Sequence, residues 1–326
     1  MLVGIGAVAA FVLLAAGGSY AGHMAAKATK KGPAPSTYQV AVANHAGVVI
    51  PDTDADGPCA AFAPGQCPEP LQAQELRRQA QYYLHRGDAE VAVGRRDEAR
   101  SFYSRAVVIG RTAEAPSADL ATRRLNFLEL ACADGEVSSA PIGTPEQQRA
   151  LRALGYHQGR TELLHGQALS DAIRAFQSDL WLDATGRLSA AESVLLMCGA
   201  AELAKDAASQ RQLGLLYAAG HGVERDTARG IELLEEASLR GDAVASWNLA
   251  LLYGAGMLAD RSSVCGVERD LDRADQYLAE AALAGDQRAV AFDDFVRGQS
   301  APERWQQVYD AMSRPGQTAG SCNLQG

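Results

Sequence analysis

The sequence predicts an all-α protein of helical hairpins, on three observations. Aromatic content is only 6% while alanine and leucine dominate, and both lose little side-chain freedom in a helix. Beyond about residue 71, apolar residues recur at spacings of three and four, the signature of amphipathic helices. Finally, one block of sequence is repeated. Gly214-Leu215-Leu216-Tyr217-Ala218-Ala219-Gly220 returns 36 residues later as Ala250-Leu251-Leu252-Tyr253-Gly254-Ala255-Gly256, and Gly222-Val223-Glu224-Arg225-Asp226 returns 44 residues later as Gly266-Val267-Glu268-Arg269-Asp270. Units of this length cannot bury an apolar face alone and must stack.

Residues 1–24 are expected to be a transmembrane anchor or signal segment. Leu2 to Gly22 carries no charge and is long enough to cross a bilayer. Ser19-Tyr20-Ala21 supplies the small residues of a cleavage site, whereas Lys27, Lys30 and Lys31 favour a cytoplasmic C-terminal side for an uncleaved anchor. Residues 25–70 carry seven prolines, among them Pro33, Pro35, Pro51 and Pro64, and four glycines, and read as a linker. Its Asp52, Asp54, Asp56 and Gly57 begin like a calcium loop, but Pro64-Gly65 stand where the closing acid belongs. A solvated turn is expected there, with no metal.

Six cysteines, Cys59, Cys67, Cys132, Cys198, Cys265 and Cys322, form no C-x-x-C motif. The even number favours disulfides in an oxidising compartment over zinc. Cys59 with Cys67 is the foremost pair, Cys265 with Cys322 next and Cys132 with Cys198 last. Unpaired cysteines of a cytosolic protein are the alternative.

Residues 71–135 read as two antiparallel helices and a third that covers them. Gly87, Gly94, Ala99 and Ala106 hold the small positions, and Tyr103 packs between the last two. The spacing resembles a single tetratricopeptide repeat. Residues 205–313 contain the repeated block. Leu213, Leu216 and Tyr217 share one face of a first helix, Ile231, Leu234 and Ala237 are assigned to the core side of a second, and Gly241-Asp242 ends one helix and caps the next. This closely resembles the Sel-one-like subclass of tetratricopeptide repeats. The second copy carries an eight-residue insertion, Leu258 to Cys265, and Trp305 to Met312 is expected to form the capping helix before a tail at 314–326. Partner-facing candidates on the first helices are Gln212, Tyr217, Asn248 and Tyr253, with packing as the competing role for both tyrosines.

Residues 141–198 have another texture. Leu151, Leu154-Gly155-Tyr156, then Ala172-Ile173-Arg174-Ala175-Phe176-Gln177, and finally Gly186 resemble the small three-helix peptidoglycan-binding domain of envelope proteins. The Asp-Gly turns usual in that family are replaced by Glu162-Leu163 and Thr185-Gly186. Its resemblance implies peptidoglycan as ligand, with Arg160, Gln177 and Trp181 as contacts. The alternatives are that Trp181 covers a helix junction and that Gln177 bonds inside the module.

A net charge of −9 argues against nucleic acid, which requires a basic face. None of the six histidines falls in a metal-binding or catalytic motif, and no G-x-S-x-G or phosphate loop is present. The expectation is a non-enzymatic periplasmic scaffold, without cofactor or metal. It would be held to the membrane by its N-terminal segment, bind peptidoglycan and dock an envelope protein. The combination resembles accessory parts of flagellar motors, pili and secretion systems of Gram-negative bacteria. The competing expectation is a regulatory or inactive relative of a cell-wall hydrolase, and a cytosolic scaffold is third.

Overall fold

The computed structural model describes residues 58–61, 65–130, 137, 142–157, 166–296 and 298–313. The proposed anchor, most of the linker, the tail, Arg160, Cys132 and Cys322 lie outside the described residues. Twelve α-helices and no strand appear among them: α1 Glu69–Ala92, α2 Arg96–Thr112, α3 Ser117–Leu128, α4 Thr144–Ala153, α5 Gln167–Asp179, α6 Ala190–Glu202, α7 Ala207–Ala219, α8 Thr227–Leu239, α9 Ala243–Ala255, α10 Leu271–Leu283, α11 Gln287–Phe295 and α12 Ala301–Met312. The all-α, hairpin-built architecture is therefore the one the sequence predicts.

The N-terminal hairpin, α1 against α2, closes where Tyr103 lies over Gly87, and α3 covers it. A buried charge lies at its centre. The Tyr103 hydroxyl donates to Asp88 Oδ1 (2.8 Å), and Arg124 Nη1 donates to Asp88 Oδ2 (2.6 Å), with Asp88 fully buried and Arg124 3% exposed. A buried carboxylate is tolerated only when paired and bonded in this way.

The repeats owe their shape to a recurring set of end-of-helix bonds. Asp206, Asp226, Asp242, Asp270 and Asp286 are the N-caps of α7 to α11, and each accepts a backbone N–H from its own first turn. An N-cap carboxylate contributes about 0.5–2 kcal/mol. Gly220 and Gly256 end α7 and α9 in the left-handed conformation, at φ 70° and 69°. In each copy of the Gly-Val-Glu-Arg-Asp block the arginine then donates to a carbonyl that ends the preceding helix, Arg225 to Ala219 and Arg269 to Gly254, both 3.0 Å. The aspartate N–H closes the same turn on Tyr217 O or Tyr253 O, both 3.1 Å.

Two packing details differ from expectation. Leu233 and Leu234 form the buried face of α8, while Ile231 is only partly buried. The insertion folds as a small hairpin, with an isolated bridge from Met257 to Ser263, and buries Leu258 and Val264. Trp305 on α12 is fully buried over Gly254, where any β-carbon would lie 2.1 Å from the indole.

One apolar core runs unbroken from Leu84 through Phe127, Leu151, Phe176 and Leu196 to Leu213, Leu216 and Leu233. The hairpin, the central three-helix module and the first repeat thus share a core. A second core extends from Leu234 through Leu252 to Trp305 and Val308. Only Leu203 to Asp206 separate α6 from α7, and the two helices pack together.

Candidate functional site

In the central module, α5 turns Ala172, Ile173, Phe176 and Gln177 inward, the one-and-four spacing of a buried helical stripe. A capping box of Ser189 and Glu192 starts α6. Gln177 is fully buried, and its amide is spent inside the module. Nε2 donates to Arg187 O (2.9 Å), Glu192 Oε1 (3.1 Å) and Thr185 Oγ1 (3.2 Å), while Oε1 accepts from Gly186 N–H (2.9 Å). It braces the Thr185–Arg187 turn, and a ligand would have to break that brace to reach it. These are the internal bonds that the sequence reading set beside a ligand contact for Gln177.

Trp181 is half-buried at φ 59° and faces the N-terminal hairpin. Its ring meets His85 edge-on at 6.1 Å, and the Arg124 guanidinium lies 5.2 Å from its centroid. Arg124 Nε also donates to Asp179 O (2.8 Å), and Arg123 pairs with Asp179 (2.7 Å). The indole therefore serves the junction between hairpin and module. Accessible polar groups of the module lie on α4, at Arg149 and Arg152, and around its second turn. Arg187 is exposed, and Arg174 lies beside Gly186 and pairs with Asp171 (2.8 Å). Sequence reading passed over both arginines because they lack a motif, although Arg174 stands inside the quoted AIRAFQ stretch.

On the array, three of the four expected partner-facing residues are buried. Asn248 is 2% exposed, donates to Val244 O and accepts from Ala259 N–H (2.9 Å), so it anchors the insertion to α9. Its amide is thus engaged within the array. Tyr217 and Tyr253 are 8% and 6% exposed, and both pack, as the competing reading had it. Gln212 is half-exposed on α7.

Tyr253 belongs to a cluster across the repeat boundary. Its ring stacks on Tyr277 at 5.9 Å, the Arg273 guanidinium lies 4.0 Å above it, and Glu235 accepts from both phenols and from Arg273. Burial, with the Glu235 charge adding to it, pushes the Tyr253 phenol up to about 12. The cluster borders a groove of about 650 Å³ formed by Ile231, Tyr253 and the run Gly266 to Arg273.

A second feature escaped the sequence reading. Leu203, Leu239 and Leu283 end α6, α8 and α10 at the same repeat position, and they are 38%, 87% and 89% exposed. Their spacings of 36 and 44 residues match the repeat, so comparing the copies column by column would have found them. An exposed leucine thus recurs in register along the array.

No group of three or more metal-ligating side chains occurs among the described residues. One acid–imidazole–hydroxyl series occurs in the insertion. His221 Nε2 lies 3.3 Å from Ser262 Oγ, and His221 Nδ1 lies 3.8 Å from Asp260 Oδ2. The longer gap is no hydrogen bond, and the imidazole and carboxylate are 47% and 55% exposed. The series ties the insertion to the turn after α7.

No helix among the described residues is long and apolar enough to cross a membrane. Cys59 and Cys67 are joined in a disulfide, and Cys198 and Cys265 are also disulfide-bonded.

Comparison with known proteins gives a similar solved structure and a family match. The chain is similar to a crystal structure of a Sel1 repeat protein from Oxalobacter formigenes, at 20% identity and a TM-score of 0.31, covering 74% of this chain and 88% of that one. The repeat architecture rests on the helix packing above rather than on that likeness. Residues 145–192, which hold α4, α5 and the start of α6, match the family described as "Putative peptidoglycan binding domain".

Proposed function

We propose that the chain is a non-catalytic scaffold of the cell envelope that grips peptidoglycan through its central module and holds a partner protein on its repeats. The observation that carries the reading is the match at residues 145–192, in a module whose core continues into the first repeat. Such continuity lets a load on the glycan reach a docked partner without a flexible joint. The bonded cysteines support an oxidising, periplasmic location, and the uncharged segment Leu2 to Gly22 supports a membrane tether or export signal. The partner would belong to an envelope machine such as a motor, pilus or secretion system.

Arg174 and Arg187 are assigned to the glycan-peptide contact, together with Arg160. The recurring leucines are assigned to the partner. In a sedimentation assay the full chain pellets with purified sacculi, and Arg174→Ala with Arg187→Ala weakens pelleting. Point substitutions suit this better than truncation, because Leu213, Leu216 and Leu233 complete the core that begins at Leu84. Recovery of a crosslinked partner should fall with Leu239→Glu and Leu283→Glu while pelleting persists. Release of muropeptides by the pure protein would instead favour kinship with a working hydrolase.

A further inference from the structure

The groove beside Tyr253 is a built feature of the second repeat, with an apolar floor and an acidic rim. Ile231, Val267 and Leu271 supply apolar surface, and the volume of about 650 Å³ lies within the range of ligand-sized clefts, roughly 300–1,000 Å³. Most of its charged groups are already committed. Asp270 caps α10, Arg269 holds Gly254 O, and Arg273 is paired with Glu235 and laid on Tyr253. Glu268 and Asp272 are exposed and make no hydrogen bond or ion pair among the described residues. Arg269 is exposed and pairs with no carboxylate among the described residues, so Glu268, Asp270 and Asp272 outnumber the groove's one unneutralised cation and its open charge is net negative.

The two repeats differ at this place. Leu271 and Asp272 stand where the first repeat has Thr227 and Ala228, so the second repeat alone joins the added apolar group to the added acid. The wall is also fixed in place. Cys265, immediately before it, is disulfide-bonded, and Asp270 N–H is held by Tyr253 O. A wall already ordered spares the entropy cost of ordering it on binding. Stacking of a sugar is disfavoured, because Arg273 already covers the Tyr253 face at 4.0 Å.

Resting on the scaffold reading above, we infer that this groove takes a segment of the partner protein in which an aliphatic side chain adjoins a lysine or arginine. The aliphatic group lies on Ile231, Val267 and Leu271, and the cation lies between Glu268 and Asp272. An acidic segment is repelled by the same two carboxylates.

The test is selection of random short peptides on the immobilised full chain, followed by anisotropy measurements on the enriched sequences. Enrichment of adjacent aliphatic and basic residues is expected. Glu268→Gln and Asp272→Asn each weaken binding about threefold and together about tenfold, as exposed ion pairs do, and added salt weakens it further. Leu271→Thr with Asp272→Ala, which install the first repeat's residues, remove the preference. Because Leu271 packs against the second core, an unchanged urea midpoint or binding compared with Asp272→Ala alone separates loss of the contact from loss of the fold. Enrichment of acidic or uncharged peptides, no enrichment at all, or equal binding by the double variant overturns the proposal. Crosslinking separates this from the wider reading. Partner recovery that is lost with the leucine substitutions but untouched by Glu268→Gln/Asp272→Asn leaves the scaffold standing and removes the groove. Partner recovery indifferent to both sets removes the scaffold reading of the array.

Discussion

The two repeats use the same turn chemistry but exchange their small residues. In the first, Gly214 and Gly230 let α7 and α8 come close: a β-carbon on Gly230 would lie 2.6 Å from Ala218 N. Alanines, Ala250 and Ala274, occupy those positions in the second. There the glycine has moved one turn along, to Gly254, and the space it leaves is filled by Trp305 of the capping helix. The first repeat thus spends its glycines on its own hairpin, and the second spends one on closing the array. A shared motif sets the turns, while the placement of a single missing methyl decides what packs on the helix.

The largest test of this comparison is Trp305→Ala. It removes a fully buried indole and its hydrogen bond to Asp275 (2.8 Å), and should cost about 3–5 kcal/mol. Denaturant titration measures the loss, and hydrogen exchange should show it in α9 to α12 while α1 to α6 keep their protection. Uniform loss of protection would mean that the two cores unfold as one.

A smaller effect comes from pH. The Tyr253 phenol is raised from 10 to about 12 in the fold, so its contribution is fully present below pH 10 and is lost as pH climbs toward 12. At 1.36 kcal/mol per unit the change is about 2–3 kcal/mol. Tyr253→Phe should flatten that part of the alkaline stability profile. An unchanged slope would leave Tyr277, also raised by burial, as the titrating group.

Gly230→Ala should destabilise by about 1–3 kcal/mol through overpacking. The opposite change at the equivalent site, Ala274→Gly, should cost only about 1 kcal/mol of helix propensity. Equal costs, read from urea midpoints, would erase the asymmetry between the hairpins.

The smallest effect expected is at Asp286, which caps α11. Hydrogen bonding to Arg288 holds its carboxyl below the usual carboxylate range. Its contribution is therefore present above about pH 4 and lost as pH falls further. Asp286→Asn keeps the cap but should remove that acid slope, a change of about 1 kcal/mol.

Much of the fold was legible from residues whose roles are local. The Gly-Asp pairs and the repeated Gly-Val-Glu-Arg-Asp block act within one turn or one hairpin, so their spacing carries the information. The start of the first repeat was harder to see, because Lys205-Asp206 replaces Gly-Asp. Lys205 adopts φ 53° there without glycine, a conformation costing an L-residue roughly 1–2 kcal/mol. The site was less legible. Gln177, Asn248 and Trp181 have side chains suited either to a ligand or to an internal bond, and nothing in their spacing chooses between the two.

By itself, then, the sequence determined that this chain is helical, that its hairpins repeat and that residues 141–198 are of another kind. These follow from period, propensity and capping, which depend on neighbours a few residues away. Only the tertiary structure decided that the modules share a core, that Trp181 joins the hairpin to the module and that Asn248 holds the insertion. It also left Leu203, Leu239, Leu283, Glu268 and Asp272 facing solvent. The physical reason is that burial and hydrogen-bond partnership are set by helices distant in the chain. Arg124 meets Asp88 36 residues away and Asp179 55 residues away, and no local pattern encodes such a meeting.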